Sequence, residues 1–170
     1  MKFQPITAAE YHLLEPFFKE QTYAHSAYCL SGIVAWNNCT FNNYYALHDG
    51  TVYLYEKPQD EAPYLLMPVS GARDFTPGEL ALALKHSAQP EIHFAPQNYV
   101  EKHSRELEKI FEVSEQPEYE DYVYLRAELS GLQGRRYVKK RNLLRQFERE
   151  YSAPGRVHAE LIVRGNTDSC

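Results

Sequence analysis

Apolar and polar positions along this chain change period several times, and each change marks an element. Phe3 to Ile6 reads as a short strand, and Thr7-Ala-Ala-Glu10 follows as a capping box that opens a helix to about Lys19, with Leu13, Leu14, Phe17 and Phe18 on its core face. Leu30, Ile33 and Val34 recur at helical spacing and predict a second helix over Ser26 to Trp36, although the β-branched and aromatic content there also suits a strand. Tyr44 to Leu47 and Thr51 to Tyr55 flank His48-Asp49-Gly50, whose Asp-Gly step supplies the positive φ values of a tight hairpin. Tyr64 to Val69 reads as a third, buried strand, Thr76-Pro77-Gly78-Glu79 caps a helix through Lys85, and Glu91 to Phe94 is a short strand. Gln97 to Ile110 is an amphipathic helix with Val100, Leu107 and Ile110 inward, and Tyr119 to Leu125 alternates as a further strand. The order predicts a mixed α/β (α+β) fold whose sheet is mostly antiparallel and flanked by helices.

The most concentrated chemistry lies late in the chain. A β-like run from Asp121, a loop holding Gly131 and Gly134, and a basic helix from Arg135 to Arg149 follow one another directly. Seven of the 18 Lys and Arg fall in that helix, and glycines at its mouth leave backbone N–H groups free to meet an anion. The candidate anion or phosphate site is therefore Gly131, Gly134, Arg135, Arg136, Lys139, Lys140, Arg141 and Asn142. At 100° per residue Tyr137, Leu143, Leu144, Phe147 and Tyr151 share one face, while Arg135, Lys139, Asn142, Arg145 and Arg149 form a solvent stripe opposite. Arg136 and Lys140 fall inside the apolar sector, where a long cationic side chain snorkels outward, pairs with an acid or holds an anion at a pocket edge. Lys140 is read as pairing with an acid such as Glu118, Glu120 or Asp121, and Arg136, nearer the glycines, as an anion contact.

Composition narrows the partners. The 170 residues, 44% of them hydrophobic, suffice for a core of their own. A net charge of −5 argues against indiscriminate nucleic-acid binding, so any polyanion contact is local. Cys29, Cys39 and Cys170 lack the paired spacing of a zinc site, which predicts reduced thiols, no metal and a cytoplasmic setting. No run of about 18 apolar residues spans a membrane, although peripheral contact with one is compatible with the basic helix. The seven histidines are scattered, no Ser/His/Asp set stands out, and the catalytic residues stay unknown. His25, Tyr28 and Trp36 form an aromatic group that lines a pocket or, more simply, fills core.

Phe3-Gln-Pro-Ile6, Tyr28 through Trp36, the hairpin ending near Tyr55, Pro68 to Gly71, Asp121-Tyr-Val-Tyr124 and above all Leu132-Gln-Gly-Arg-Arg-Tyr-Val-Lys-Lys-Arg-Asn142 with Phe147 resemble the C-terminal domain of phosphatidylglycerol lysyltransferases and its bacterial relatives. The resemblance implies a GNAT-like (acetyltransferase-type) lobe over residues 1–152. It also implies transfer of an aminoacyl group from aminoacyl-tRNA to a lipid head group, in a groove that two lobes build together. Residues 153–170, where Arg156 to Val163 reads as a strand after Pro154-Gly155, are expected to be the opening of a second lobe or an edge strand with a disordered tail. Three functions follow as expectations: the N-terminal lobe of such a transferase, inactive alone; a non-catalytic interaction or regulatory module; and a self-sufficient acyl-coenzyme A N-acyltransferase. The donor would be aminoacyl-tRNA or acyl-coenzyme A, and no cofactor is certain. The partners would be tRNA or an anionic lipid head group at the basic helix, and a second lobe or a second copy through residues 157–163.

For coenzyme A binding, acetyltransferases use an (Arg/Gln)-x-x-Gly-x-(Gly/Ala) loop. Gly131-Leu-Gln-Gly134-Arg-Arg stands in that slot with different spacing, and Val69-Ser-Gly-Ala-Arg73 matches less well. A splayed V between two central strands, lined by Gly131, Gly134 and Arg136, would favour acyl transfer. A filled V with an exposed apolar patch would favour docking.

Overall fold

The computed structural model describes residues 1–37 and 41–157. They belong to two compact units, Met1–Asp121 and Tyr122–Cys170.

The first unit carries a five-stranded sheet in the order β1-β2-β3-β4-β5. β1 (Gln4–Pro5) lies antiparallel to β2 (Phe41–His48), which forms a hairpin with β3 (Thr51–Pro58) in the register Tyr44 opposite Tyr55. Asp49 and Gly50 both take positive φ at the turn (47° and 70°), as the Asp-Gly step requires. β4 (Tyr64–Leu66) continues antiparallel, and β5 (Ile92–His93) then pairs with it in parallel, Leu65 opposite Ile92. The mixed, mostly antiparallel sheet flanked by helices is the fold class that the sequence predicts.

Both capping boxes form. Thr7 and Glu10 close a 3-10 turn that leads into α1 (Tyr11–Lys19), and Thr76 with Glu79 opens α3 (Pro77–Ser87). The second predicted helix breaks at Cys29 into a 3-10 turn (Ser26–Tyr28) and α2 (Leu30–Ala35). α4 (Gln97–Leu107) completes the unit. Leu14 and Phe18 from α1, Leu30 and Ile33 from α2, Leu80 from α3, and Tyr99 and Leu107 from α4 share one core with Val52, Leu54, Tyr64 and Leu66 of the sheet. Leu13 and Ile110, expected inward, are exposed, because Leu14 with Phe18 and Tyr99 with Leu107 already fill the buried stripes of their helices. The strand expected to reach Val69 ends at Leu66, and Val69 makes only an isolated bridge to Val52 beyond Pro68, which has no N–H to donate.

The second unit departs further from expectation. The strand expected over Tyr119–Leu125 does not form: Pro117–Tyr119 is a 3-10 turn, and Tyr122 to Leu125 pair with no strand among the described residues. Asp121, just before them, is held by Ser26, and the helix formers Arg126-Ala-Glu-Leu then turn the chain into α5 (Arg126–Gly131) where a loop was expected. Leu132 ends α5 in the left-handed region (φ 43°). The basic helix begins as a 3-10 turn (Arg135–Tyr137), becomes α6 (Val138–Phe147) and ends in a π turn (Glu148–Ser152). Its apolar face is not core: of the five residues that share it only Tyr137 is buried, and Leu143, Leu144, Phe147 and Tyr151 are exposed. Residues 158–163 of the expected last strand, His158, Cys39 and Cys170 lie outside the described residues. No helix among the described residues is long and apolar enough to cross a membrane.

Candidate functional site

β4, α3 and β5 make a parallel crossover, and in such a unit a ligand is received beyond the carboxyl ends of the strands, facing the start of the helix. The ladder there runs from Leu65 and Leu66 to Ile92 and His93 and then stops. Beyond it, the Met67 N–H donates to the Tyr28 hydroxyl at 3.1 Å, and that hydroxyl donates to the Phe94 carbonyl at 2.9 Å. A phenol is therefore interposed between the two strand ends. Tyr28 is 2% exposed, and burial pushes its hydroxyl far above the ordinary tyrosine range, so it stays a neutral donor and acceptor.

The start of α3 is likewise satisfied from within. The Glu79 carboxylate accepts the Thr76 N–H at 2.8 Å and the Thr76 hydroxyl at 3.0 Å, and Arg73 pairs with the same carboxylate. These bonds from Thr76 hold Glu79 below its usual pKa, so it is an anion at neutral pH in the place where a ligand phosphate would otherwise sit.

Next to these strand ends lies a recess of about 230 Å³ lined by Tyr23, Arg73, Asp74, Asn98, Tyr99 and Lys102 among others. This is below the roughly 300–1,000 Å³ of typical small-molecule sites, so it suits a small group rather than a coenzyme. Asp74 accepts from Lys102 and from His103 Nε2 (3.1 Å), and these bonds, Lys102 first, lower its pKa. A carboxylate fixing one imidazole nitrogen is the arrangement that lets the other act as a base. Tyr23 donates to the Pro68 carbonyl, and burial with the Asp74 charge pushes its phenol up to about 12.

His25, Ser26 and Asp121 come together as well, but not as a relay. The Ser26 N–H and hydroxyl both donate to the Asp121 carboxylate at 2.6 Å. His25 accepts the Ala27 N–H on Nδ1 at 3.1 Å and donates from Nε2 to the Tyr119 carbonyl at 3.0 Å. The serine proton thus goes to the aspartate and both imidazole nitrogens are occupied, which makes the group a latch for residues 119–121. Trp36 is 69% exposed and takes no part in it.

The residues singled out at the basic helix all lie in the second unit. Gly131 is the last residue of α5, and Gly134 precedes the 3-10 turn at φ 86°, ψ 175°, a region open essentially to glycine alone. Arg136 pairs with Glu128 and stacks over the Tyr137 ring at 4.7 Å, so its partner is a local acid. Arg141 donates to the carbonyls of Leu132 and, at 2.9 Å, Gly134, and thereby closes the turn. Lys140 lies 5.8 Å from the centre of the Tyr124 ring within its own unit. Arg135, Lys139 and Asn142 are exposed, and among the described residues Arg135, Lys139, Lys140 and Arg145 make no ion pair.

Sequence reasoning missed the Tyr28 hydroxyl bridge and the Asp74–His103 pair. Only the i, i+3, i+4 spacing of Tyr99, Lys102 and His103 on one side of α4 hinted at the latter. The family model described as phosphatidylglycerol lysyltransferase, C-terminal, matches residues 20–162. No curated protein and no solved structure matches the chain. With most of its length covered by that one model, the chain belongs to the phosphatidylglycerol lysyltransferase C-terminal family.

Proposed function

We propose that this chain is a binding lobe of an aminoacyl- or acyl-transferase related to phosphatidylglycerol lysyltransferase, equivalent to the first of two GNAT-like lobes, and that it does not carry out transfer alone. The observation supporting this reading is the Tyr28 hydroxyl between the ends of β4 and β5. An acyl donor seated there would need the strand ends open and N–H groups free for its phosphates. One such N–H is committed to Tyr28, and the start of α3 is committed to Glu79. Transfer from a bulky tRNA ester also needs orientation and exclusion of water, effects worth roughly 7–11 kcal/mol. The 230 Å³ recess encloses too little to supply either.

The lobe's contribution is then to hold the donor polyanion, through Arg135, Lys139 and Arg145 along the basic helix. A second reading, a docking module without a tRNA role, draws on the exposed apolar side chains of the second unit.

The test gives the purified chain aminoacyl-tRNA with a radiolabelled amino acid and phosphatidylglycerol vesicles, and separately acetyl-coenzyme A with small amines. No label enters the lipid extract and no thiol is released. Filter-retained tRNA falls with salt as expected for release of on the order of three to five counterions. Turnover by the chain alone overturns the proposal, and tRNA retention that ignores salt removes the donor-holding role.

A further inference from the structure

The two units carry opposite charge. Met1–Asp121 holds 18 Asp and Glu against 8 Lys and Arg, whereas residues 122–170 hold 5 against 10. In each, the excess is concentrated beside apolar side chains that no core covers. Between Val138 and Phe147, α6 carries Lys139, Lys140, Arg141 and Arg145 and no acid, and its apolar sector, Leu143, Leu144 and Phe147 with Tyr151 just beyond, is exposed. At 100° per residue Lys140 falls in the middle of that sector and Lys139 at its margin. Residues 108–120 of the first unit show the reverse charge. Glu108, Glu112, Glu115, Glu118 and Glu120 are exposed there, Lys109 is the one Lys or Arg in the stretch, and Ile110, Val113 and Tyr119 stand open among them. None of these five glutamates makes an ion pair among the described residues. The stretch is held in place at three points: the Gln116 amide reaches His93 Nδ1 at 3.3 Å, the Phe94 and Tyr119 rings meet edge to face at 5.1 Å, and the Tyr119 carbonyl accepts from His25. A surface fixed in this way loses little freedom when something docks on it.

We propose that α6 of one copy docks on residues 108–120 of a second copy, and that the exchange is mutual, so that a closed two-fold dimer makes the same contact twice. The charges favour this occupant, because the unit that lends the helix is basic and the unit that receives it is acidic. Neither surface can cover its apolar residues with its own kind. α6 laid on α6 would bring Lys139 and Lys140 against their counterparts, and two 108–120 stretches would oppose their glutamates. A second copy always brings both halves, and mutual exchange leaves no open end from which a filament could grow. Each contact is small, so the dimer forms at high concentration and is lost on dilution, where the face of α6 is open. The inference rests on the docking reading of the second unit, to which it gives an occupant, and not on the tRNA reading.

The test is sedimentation equilibrium of the full chain, without tRNA, over a dilution series on the order of 1 µM to 1 mM and at low and high salt. The mass rises from monomer to dimer with concentration, and high salt weakens the association. Lys139→Glu with Lys140→Glu, and separately Glu112→Lys with Glu115→Lys, each weaken self-association by about tenfold or more. Mixing the two reversed variants restores it, since the reversed helix then meets the reversed stretch while the other two surfaces meet as in the parent chain. Leu144→Ser with Phe147→Ser weakens association by about tenfold or more at either salt. These residues lie outside the core, so the urea midpoint of the first unit reports that each variant is folded. A monomer at every concentration overturns the proposal. So does association that the reversals or the apolar pair leave intact, which belongs to other residues, or a mixture of reversed variants that stays dissociated. Filter retention of tRNA is read separately, so its loss bears on the donor-holding role alone.

Discussion

The two units of this protein use their apolar residues in opposite ways. In the first, side chains from four helices and the sheet close a common core, with Ile6, Leu14, Val52, Leu65 and Met67 at zero exposure. In the second, Tyr137 is the one buried hydrophobic residue among those described, while Tyr122, Val123, Leu125, Leu143, Leu144 and Phe147 face outward. Both were assembled from amphipathic patterns of similar quality. The difference teaches that a periodic apolar face specifies a side to be covered, not the thing that covers it.

The sharpest way to break this comparison is truncation on each side of it. Leu65→Ala in the first unit should cost about 2–5 kcal/mol in urea unfolding, whereas Leu144→Ala should stay within roughly 0.5 kcal/mol. A large cost at Leu144 would mean that its face is already covered in solution. Hydrogen exchange sharpens the same point: amides of β2 and β3 should be protected to near the global limit, and those of α6 should open far more easily.

Gly134→Val comes next. The site has space for a side chain, with nothing within 4 Å of a Cβ, so the penalty is backbone strain alone, about 1–3 kcal/mol at this φ and ψ. It should reduce the helical signal of the second unit and tRNA retention, where Lys85→Ala changes neither. An unaltered helical signal would show that the turn is not fixed as described.

The smallest expected effect is at the latch. The Ser26 hydroxyl and N–H, with His25 nearby, lower the pKa of Asp121 below its unfolded value. Its contribution is therefore complete above the ordinary aspartate range of about 4 and is lost as pH falls through the lower folded value. Asp121→Asn should cost on the order of 1 kcal/mol at neutral pH and flatten the acid limb of a stability–pH curve. An acid limb identical to that of the parent protein would remove Asp121 from the account.

Most of the first unit was legible because its signals are local. Thr7 with Glu10, Thr76 with Glu79, and Asp49-Gly50 each act within four residues, and each forms as read. Tyr122 to Leu125 looked like a strand because strand propensity is measured against a sheet that the segment never joins. The Tyr28 bridge was out of reach for a different reason: its partners lie 39 and 66 residues away, and no spacing rule links a phenol to two strand ends. At the basic helix the sequence displayed the cations but not their attachments. Arg136 to Glu128 and Arg141 to the carbonyls of the turn emerge only once α5 exists.

The sheet's short margins have a bearing on how this protein behaves at high concentration. β2 and β3, each eight residues long and rich in tyrosine, would be a hazard for fibrillar stacking if their tyrosines stood on a bare edge, yet β1 pairs with β2 at Tyr44 and Tyr45 and β4 pairs with β3 at Tyr55 and Glu56. The outer strands β1 and β5 are two residues each. In β1 the Ile6 N–H points inward to the Asn43 carbonyl at 2.8 Å, so the alternation of a strand turns the Pro5 nitrogen outward. Proline has no hydrogen to offer an incoming chain there. Among the described residues, the β1 edge that a growing aggregate would have to copy is thus brief and lacks a donor at Pro5, which makes the paired tyrosines of β2 a poor template.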